Sequence, residues 1–303
     1  MKLATTTADF DSYCKSYAEC LERIRAAGFR YVDLSLYTVS DHKSLLVADD
    51  WRNAVANLKA CAEALGLTFV QAHAPGGNPL KEETVEDLVK VTNRTIEVCG
   101  ALGIENVVVH SGWAPGVGRE EYYERNRAFY RRLFPAMEAC GVNVLTENST
   151  RANMQDNYAF FDGADMKAFI EYVHHPMFHA CWDTGHGHIE GEQYDQLVTL
   201  GKNLRAIHLN DNRGTLDEHL IPFMGTMNMD DVMCGLLDGG FEGYCTFEAT
   251  SGLRHYRYWL GNRRSYHRER RLREPTVEMQ QDMEALLYRV GRHILTAYDC
   301  FEE

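Results

Sequence analysis

Short apolar runs in this chain repeatedly close on a side chain able to hold a divalent cation. Four of them, Phe69–His73, Val107–His110, Val142–Glu147 and Phe178–Asp183, end on residues spaced 37, 37 and 36 positions apart. That is the spacing of a repeating strand-helix unit. Two more runs follow, Ala206–His208 and Tyr244–Glu248. A ligand-type residue at the C-terminal tip of six successive strands constrains the fold strongly. All six tips meet if the strands form one parallel (β/α)8 TIM barrel, whose strand ends converge on a single face.

The rest of the chain reads as the helices of such a barrel. Leu3–Thr7 and Tyr31–Leu36 complete the set of strands. Helical stretches are expected over 12–27, 51–65, 83–102, 120–140, 165–173, 194–200 and 229–237, and Gly28, Gly66, Gly103 and Gly141 stop the early ones. The loops that precede strands are short. Those that follow strands are long, notably 149–164 and 210–228, as in a barrel that builds its site at one face. Residues 1–303 are expected to form a single barrel domain, with an Arg-rich insertion at 254–273. A doubly wound open sheet would carry a phosphate loop after an early strand, and neither G-x-G-x-x-G nor G-x-x-x-x-G-K-[ST] is present.

Composition narrows the class of function. The net charge of −13 argues against a dedicated polyanion binder, so nucleic acid is not an expected partner. No apolar stretch approaches the roughly 18 residues of a membrane helix. The nine cysteines form no C-x-x-C pair, and several sit in apolar runs (Cys61, Cys99, Cys181, Cys245). That usage, with no signal-like segment at the first residues, leads to the expectation of a reducing, cytoplasmic setting.

Glu147, Asp183, His208 and Glu248 are the expected metal core. Three carboxylates and an imidazole suit Mn²⁺, Co²⁺, Mg²⁺ or Zn²⁺. Carboxylates packed together without a cation repel one another. His73, His110 and His186 form a second tier, able to ligate further ions or to hydrogen-bond a substrate hydroxyl. His186 lies three residues past Asp183, so a turn there brings both onto one centre. Asp217 and His219 could extend the ligand set, with room for additional zinc. Arg213, in the loop after the seventh strand, is placed to hold a polar substrate group. His174, His175, His179 and His188 read as structural. The stretch 254–273 carries eight arginines against Glu269 alone, with Tyr256, Tyr258, Trp259 and Tyr266 interleaved. It suits a phosphate clamp, a nucleic-acid contact or a subunit interface.

With these residues in view, the chain resembles the sugar isomerase/epimerase superfamily of xylose-isomerase-like, endonuclease IV-like barrels. The resemblance runs over nearly the whole chain. It rests on His73 in Gln-Ala-His-Ala-Pro, His110 in Val-Val-His-Ser-Gly, Glu147 in Leu-Thr-Glu-Asn, Asp183 and His186 in Asp-Thr-Gly-His, His208 in Ile-His-Leu-Asn-Asp, and Glu248 in Thr-Phe-Glu. It implies one divalent metal held by Glu147, Asp183, His208 and Glu248. In the ketose 3-epimerases of the superfamily the two glutamates also move protons, and residues matching His186 and Arg213 hold substrate. A further glutamate of those enzymes is replaced here by Asn153, which speaks against the same sugar. The superfamily's DNA-repair nucleases use three zinc ions, and His73, His110, Asp217 and His219 match several of their extra ligands.

The function expected is a metal-dependent isomerase or epimerase acting on a sugar or sugar phosphate through an enediolate, with Glu147 and Glu248 as acid and base. An endonuclease IV-like phosphodiesterase, an inosose-type dehydratase and a sugar-acid-binding barrel without turnover are the alternatives. A homo-oligomer is expected.

Overall fold

The structure is a computed structural model, and it describes residues 1–37, 45–249, 253 and 275–303. The Arg-rich stretch 254–273 lies outside the described residues.

Eight parallel strands form the barrel wall: β1 (Lys2–Thr6), β2 (Tyr31–Ser35), β3 (Thr68–His73), β4 (Asn106–Val108), β5 (Asn143–Glu147), β6 (Phe178–Asp183), β7 (Leu204–His208) and β8 (Tyr244–Phe247). They pair in sequence order from β1 to β7, and β8 pairs with β1. The ring closes between β7 and β8 just past their ends. There Leu209 N–H donates to Thr246 O at 2.7 Å and Glu248 N–H donates to Leu209 O at 3.2 Å.

The helices are α1 (Tyr17–Ala27), α2 (Trp51–Leu65), α3 (Val85–Leu102), α4 (Arg119–Arg131), α5 (Phe134–Cys140), α6 (Gly163–Val173), α7 (Thr184–Glu190), α8 (Tyr194–Leu200), α9 (Met229–Asp238) and α10 (Val277–Ala297). The glycine stops do what the sequence suggests. At Gly66 the chain turns left-handed (φ 66°), Gly66 N–H reaches Glu63 O at 3.0 Å and Leu67 N–H reaches Ala62 O at 2.8 Å. This Schellman closure needs a residue that adopts positive φ without strain. No helix among the described residues is long and apolar enough to cross a membrane.

Two expectations are corrected. The stretch 120–140 is two helices, because Pro135 has no N–H to donate and its ring would strike the carbonyl four residues back. The segment after Asp183 is the short helix α7 rather than a simple turn. Asp183 caps it, with Oδ1 accepting from His186 N–H at 2.7 Å.

Side chains alternate along each strand, so residues two apart share a face. Glu147, Asp183 and His208 end β5, β6 and β7, and directly beneath them Leu145, Cys181 and Ala206 join Val108 in a buried apolar layer. On the β2–β3 side the equivalent positions are polar: Asp33 and Gln71 are 1% and 3% exposed. The interior of the barrel thus carries an apolar half and a polar half below one common mouth.

Candidate metal centre

His73, Glu147, Asp183 and His208 are the last residues of their strands, while His110 and Glu248 stand just beyond theirs. These strand ends bring the expected core together. Donor atoms of Glu147, Asp183, His208 and Glu248 all lie within 4.8 Å of one another. Two carboxylates converge on one imidazole nitrogen: Glu147 Oε1 lies 2.6 Å and Glu248 Oε2 3.3 Å from His208 Nδ1. The second oxygen of Glu147 faces the other way, 2.7 Å from His110 Nε2 and 3.8 Å from His73 Nε2. A third group sits alongside: Asp217 lies 3.0 Å from His186 Nε2 through Oδ2 and 3.1 Å from His219 Nε2 through Oδ1.

The histidines are oriented as ligands are. His73 Nδ1 lies 2.9 Å from Ala74 O, His186 Nδ1 2.9 Å from Asn148 O, and His219 Nδ1 2.9 Å from Glu248 O. A carbonyl oxygen only accepts, so each Nδ1 carries a proton and Nε2 is the nitrogen turned toward the cluster. Backbone carbonyls behind ligating histidines fix the tautomer in this way. This donor chemistry fits a divalent ion.

Asp183 is held from both sides. Its backbone is clamped by Asn148, which accepts from Asp183 N–H at 2.7 Å and donates to Asp183 O at 2.9 Å, while Asn210 Nδ2 donates to Oδ2 at 2.7 Å. Gly185 leaves room for this arrangement, since a Cβ there would stand 1.9 Å from Asn210 Oδ1.

Burial opposes ionisation of Glu147, Asp183 and Asp217, and the histidines reverse it at two of them. Desolvation pushes Glu147 up, but His208, His110 and His73 outweigh it and hold the carboxyl well below its usual range. Asp217 is likewise held well below by His219 and His186 against its own burial. Desolvation drives His186 down, yet Asp183 and Asp217 raise it to about 10. For Asp183 burial wins, and its carboxyl is raised despite His186 and His219. Imidazolium charge at His186 thus stands between the carboxylates of Asp183 and Asp217.

Glu147 and Glu248, with His73, His110, His186, Asp217 and His219, line a cavity of about 820 Å³, and Asp183 and His208 lie buried behind them. Arg213 is not among the residues lining it. The guanidinium instead pairs with Glu218, Nη1 to Oε1 at 2.5 Å, a carboxylate five residues along the same loop. The side chain expected to face substrate is thus turned to Glu218 in this structure. Several lining residues went unremarked in the sequence: Tyr37, which packs edge-on to His73 at 5.3 Å, Asn78, Lys81 and Trp113. Asn78 ties two rim loops together, donating to Trp113 O at 2.7 Å and accepting from Leu80 N–H at 3.0 Å. A polar residue soon after His73 was the available signal. Asp211 was missed too. Its buried carboxylate accepts from Phe223, Gly225 and Met227 N–H at 3.0–3.1 Å and so shapes the loop that carries Asp217 and His219.

Residues 21–274 match the xylose isomerase-like TIM barrel family. The chain belongs to that family. Among curated relatives, a probable endonuclease 4 of Citrifermentans bemidjiense is 30% identical over 173 residues, which is 50% of this chain and 58% of that protein. The chain thus spans little more than half the length of that relative. Among solved structures, D-psicose 3-epimerase from Clostridium cellulolyticum H10, determined with D-tagatose, superposes with a TM-score of 0.73 at 18% identity, covering 97% of this chain and 99% of the other. The IOLI protein with a bound zinc atom superposes with a TM-score of 0.77 at 16% identity, covering 98% and 99%. At these identities the structural likeness establishes the fold.

Proposed function

We propose that this chain is a divalent-metal-dependent isomerase or epimerase of an open-chain sugar or sugar phosphate. The observation that carries the reading is the convergence of Glu147 and Glu248 on His208 Nδ1, at 2.6 and 3.3 Å, from strands three places apart around the barrel. Two carboxylates that approach one reacting centre from different sides can take a proton from a carbon beside a carbonyl and return it. Return to the opposite face of that carbon gives an epimer; return to the neighbouring carbon gives an isomer.

Glu147, Asp183, His208 and Glu248 would hold the ion. A divalent ion there supplies Lewis-acid stabilisation of the negative charge that develops on substrate oxygens. The protein's own groups do the remainder. His110 and His73 orient Glu147 through its second oxygen. His186, Tyr37 and Trp113 line the space above and suit sugar hydroxyls and ring or chain carbons. Lys81 is the one lysine or arginine lining the cavity among the described residues, and it makes no ion pair among them. It suits the anionic end of a sugar phosphate.

A second reading has its own observation. The groups His73–His110–Glu147, Glu147–Asp183–His208–Glu248 and His186–Asp217–His219 are each compact enough for one ion, and the first two share Glu147. Three neighbouring ions would suit phosphodiester hydrolysis, the reading favoured by the endonuclease relative.

One experiment separates the two. Metal content is measured per purified chain, and deuterium incorporation from D₂O is followed over a panel of ketoses and ketose phosphates, beside cleavage of an abasic duplex. Exchange into a sugar without cleavage supports the isomerase. Three zinc ions with duplex cleavage and no exchange supports the hydrolase.

A further inference from the structure

His208 is placed differently from the other histidines of the mouth. His73, His186 and His219 turn Nδ1 back to a carbonyl and Nε2 forward. His208 does the reverse: Nδ1 faces Glu147 and Glu248, and Nε2 points down into the barrel, 2.9 Å from Gln71 Nε2. Both residues are buried, Gln71 at 3% and His208 at 0% exposure.

An amide nitrogen only donates. Its contact with His208 Nε2 is a hydrogen bond only when that nitrogen carries no proton. The imidazole proton then sits on Nδ1, donated to Glu147 Oε1. Such an imidazole has no lone pair at Nδ1 and cannot ligate there. Ligation through Nδ1 requires the other tautomer, with the proton on Nε2, and a buried N–H left without an acceptor is unfavourable. The acceptor is at hand, because Gln71 Oε1 is the other end of the same amide. A half-turn of the amide brings it to His208 and swings the NH₂ away. The strand register then matters. Gln71 pairs with Asp33 across β2 and β3, and the two side chains share the interior face. Asp33 Oδ1 is buried and has no hydrogen-bond partner among the described residues. It is suited to receive the NH₂ that leaves His208.

We propose that Gln71 is a positioning residue of the cation site, its amide selecting which nitrogen of His208 carries the proton. It donates to Nε2 while Nδ1–H is bonded to Glu147. It turns and accepts from Nε2–H, with its NH₂ passed to Asp33, when a divalent ion is held at Nδ1. This rests on the ligand set proposed above and adds to it an amide switch one layer below.

The test uses the full chain and zinc. Zinc affinity is measured by competition with a fluorescent chelator for the wild type and Gln71→Leu, with circular dichroism to confirm folding. Loss of a partner behind a ligating histidine typically weakens metal binding about 10- to 100-fold, and that loss is expected for Gln71→Leu. In parallel, ¹⁵N NMR of the wild type, with His208 assigned by comparison with His208→Asn, reports which ring nitrogen is protonated. The expected result is a proton on Nδ1 in chelator-treated protein and on Nε2 after zinc is added. A folded Gln71→Leu that binds zinc within about threefold of wild type, or a wild-type His208 with the same tautomer in both states, overturns the switch and leaves the ligand set standing. Should Gln71→Leu not fold, the wild-type spectra decide alone. A wild type that binds no zinc removes the ligand set and the switch together.

Discussion

Two buried acidic clusters in this barrel look alike in composition and behave in opposite ways. At the mouth, Glu147 and Asp217 are surrounded by imidazoles and are held well below the usual carboxyl range. At the corner where β1 meets α10, Asp9 and Glu284 face each other through Thr5. Thr5 Oγ1 lies 2.5 Å from Glu284 Oε1 and 3.4 Å from Asp9 Oδ2. No histidine shares that corner among the causes acting on it. Desolvation first, then the Glu284 charge, raises Asp9 well above its ordinary value, and burial lifts Glu284 to about 7. Burial alone pushes a carboxyl toward its neutral form; the histidines reverse that at Glu147 and Asp217, though not at Asp183. The second arrangement suits a cation, and the first is a protonated structural contact.

The comparison is broken most severely at the two glutamates of the mouth. Glu147→Gln and Glu248→Gln should each lower kcat by about 10²–10⁴-fold, the usual worth of a positioned acid or base, with the circular dichroism spectrum unchanged. Glu284→Gln should leave kcat as in wild type. Equal losses at the mouth and at the corner would erase the functional distinction between them.

The next effect is on stability. An ion that binds only the folded chain adds about 2.7 kcal/mol when present at 100 times its Kd. A chelator should therefore lower the thermal midpoint of wild type in calorimetry, and do so far less in Asp183→Asn, which is expected to hold the ion more weakly.

Titration separates the two regions by sign. Glu284 binds its proton more tightly in the folded chain than in the unfolded one. Its contribution is therefore complete below the unfolded value of 4.5 and is lost as pH rises toward about 7. At about 1.4 kcal/mol per pKa unit the loss is on the order of 3 kcal/mol. Urea unfolding at pH 4.5 and pH 7.5 should show that Glu284→Gln removes this fall. Glu147 and Asp217 act oppositely. Their folded values are depressed, so their contribution is present above the unfolded carboxyl range and is lost as pH falls.

The smallest effect concerns substrate choice. Lys81→Met should raise KM about tenfold for a phosphorylated ketose, in line with about 1.5 kcal/mol for a hydrogen bond to a charged group. The unphosphorylated sugar should be unaffected, as paired steady-state kinetics would reveal.

Much of the barrel was legible in the sequence because its strands are short β-branched or aromatic runs and its early helices stop at glycine. Both features are local. The mouth was legible because a strand end fixes where a side chain goes: Glu147, Asp183 and His208 are the final residues of their strands. What was not legible depends on choices between partners. Arg213 had the cavity and Glu218 open to it, and only the folded loop decides for Glu218. Gln71 reads as one more strand residue until β7 brings His208 above it. Helix α7 holds Gly185 and Gly187, poor helix formers, and exists because Asp183 caps it and the site packs around it. Pro135 was a visible break that the long helical pattern obscured.

The most direct measurement is an anomalous-difference crystal map of the zinc- or manganese-loaded protein. The expected result is a peak within about 2.0–2.3 Å of donor atoms from Glu147, Asp183, His208 and Glu248 together. A loaded crystal whose anomalous peaks lie elsewhere, with those four side chains touching no common ion, would contradict the account.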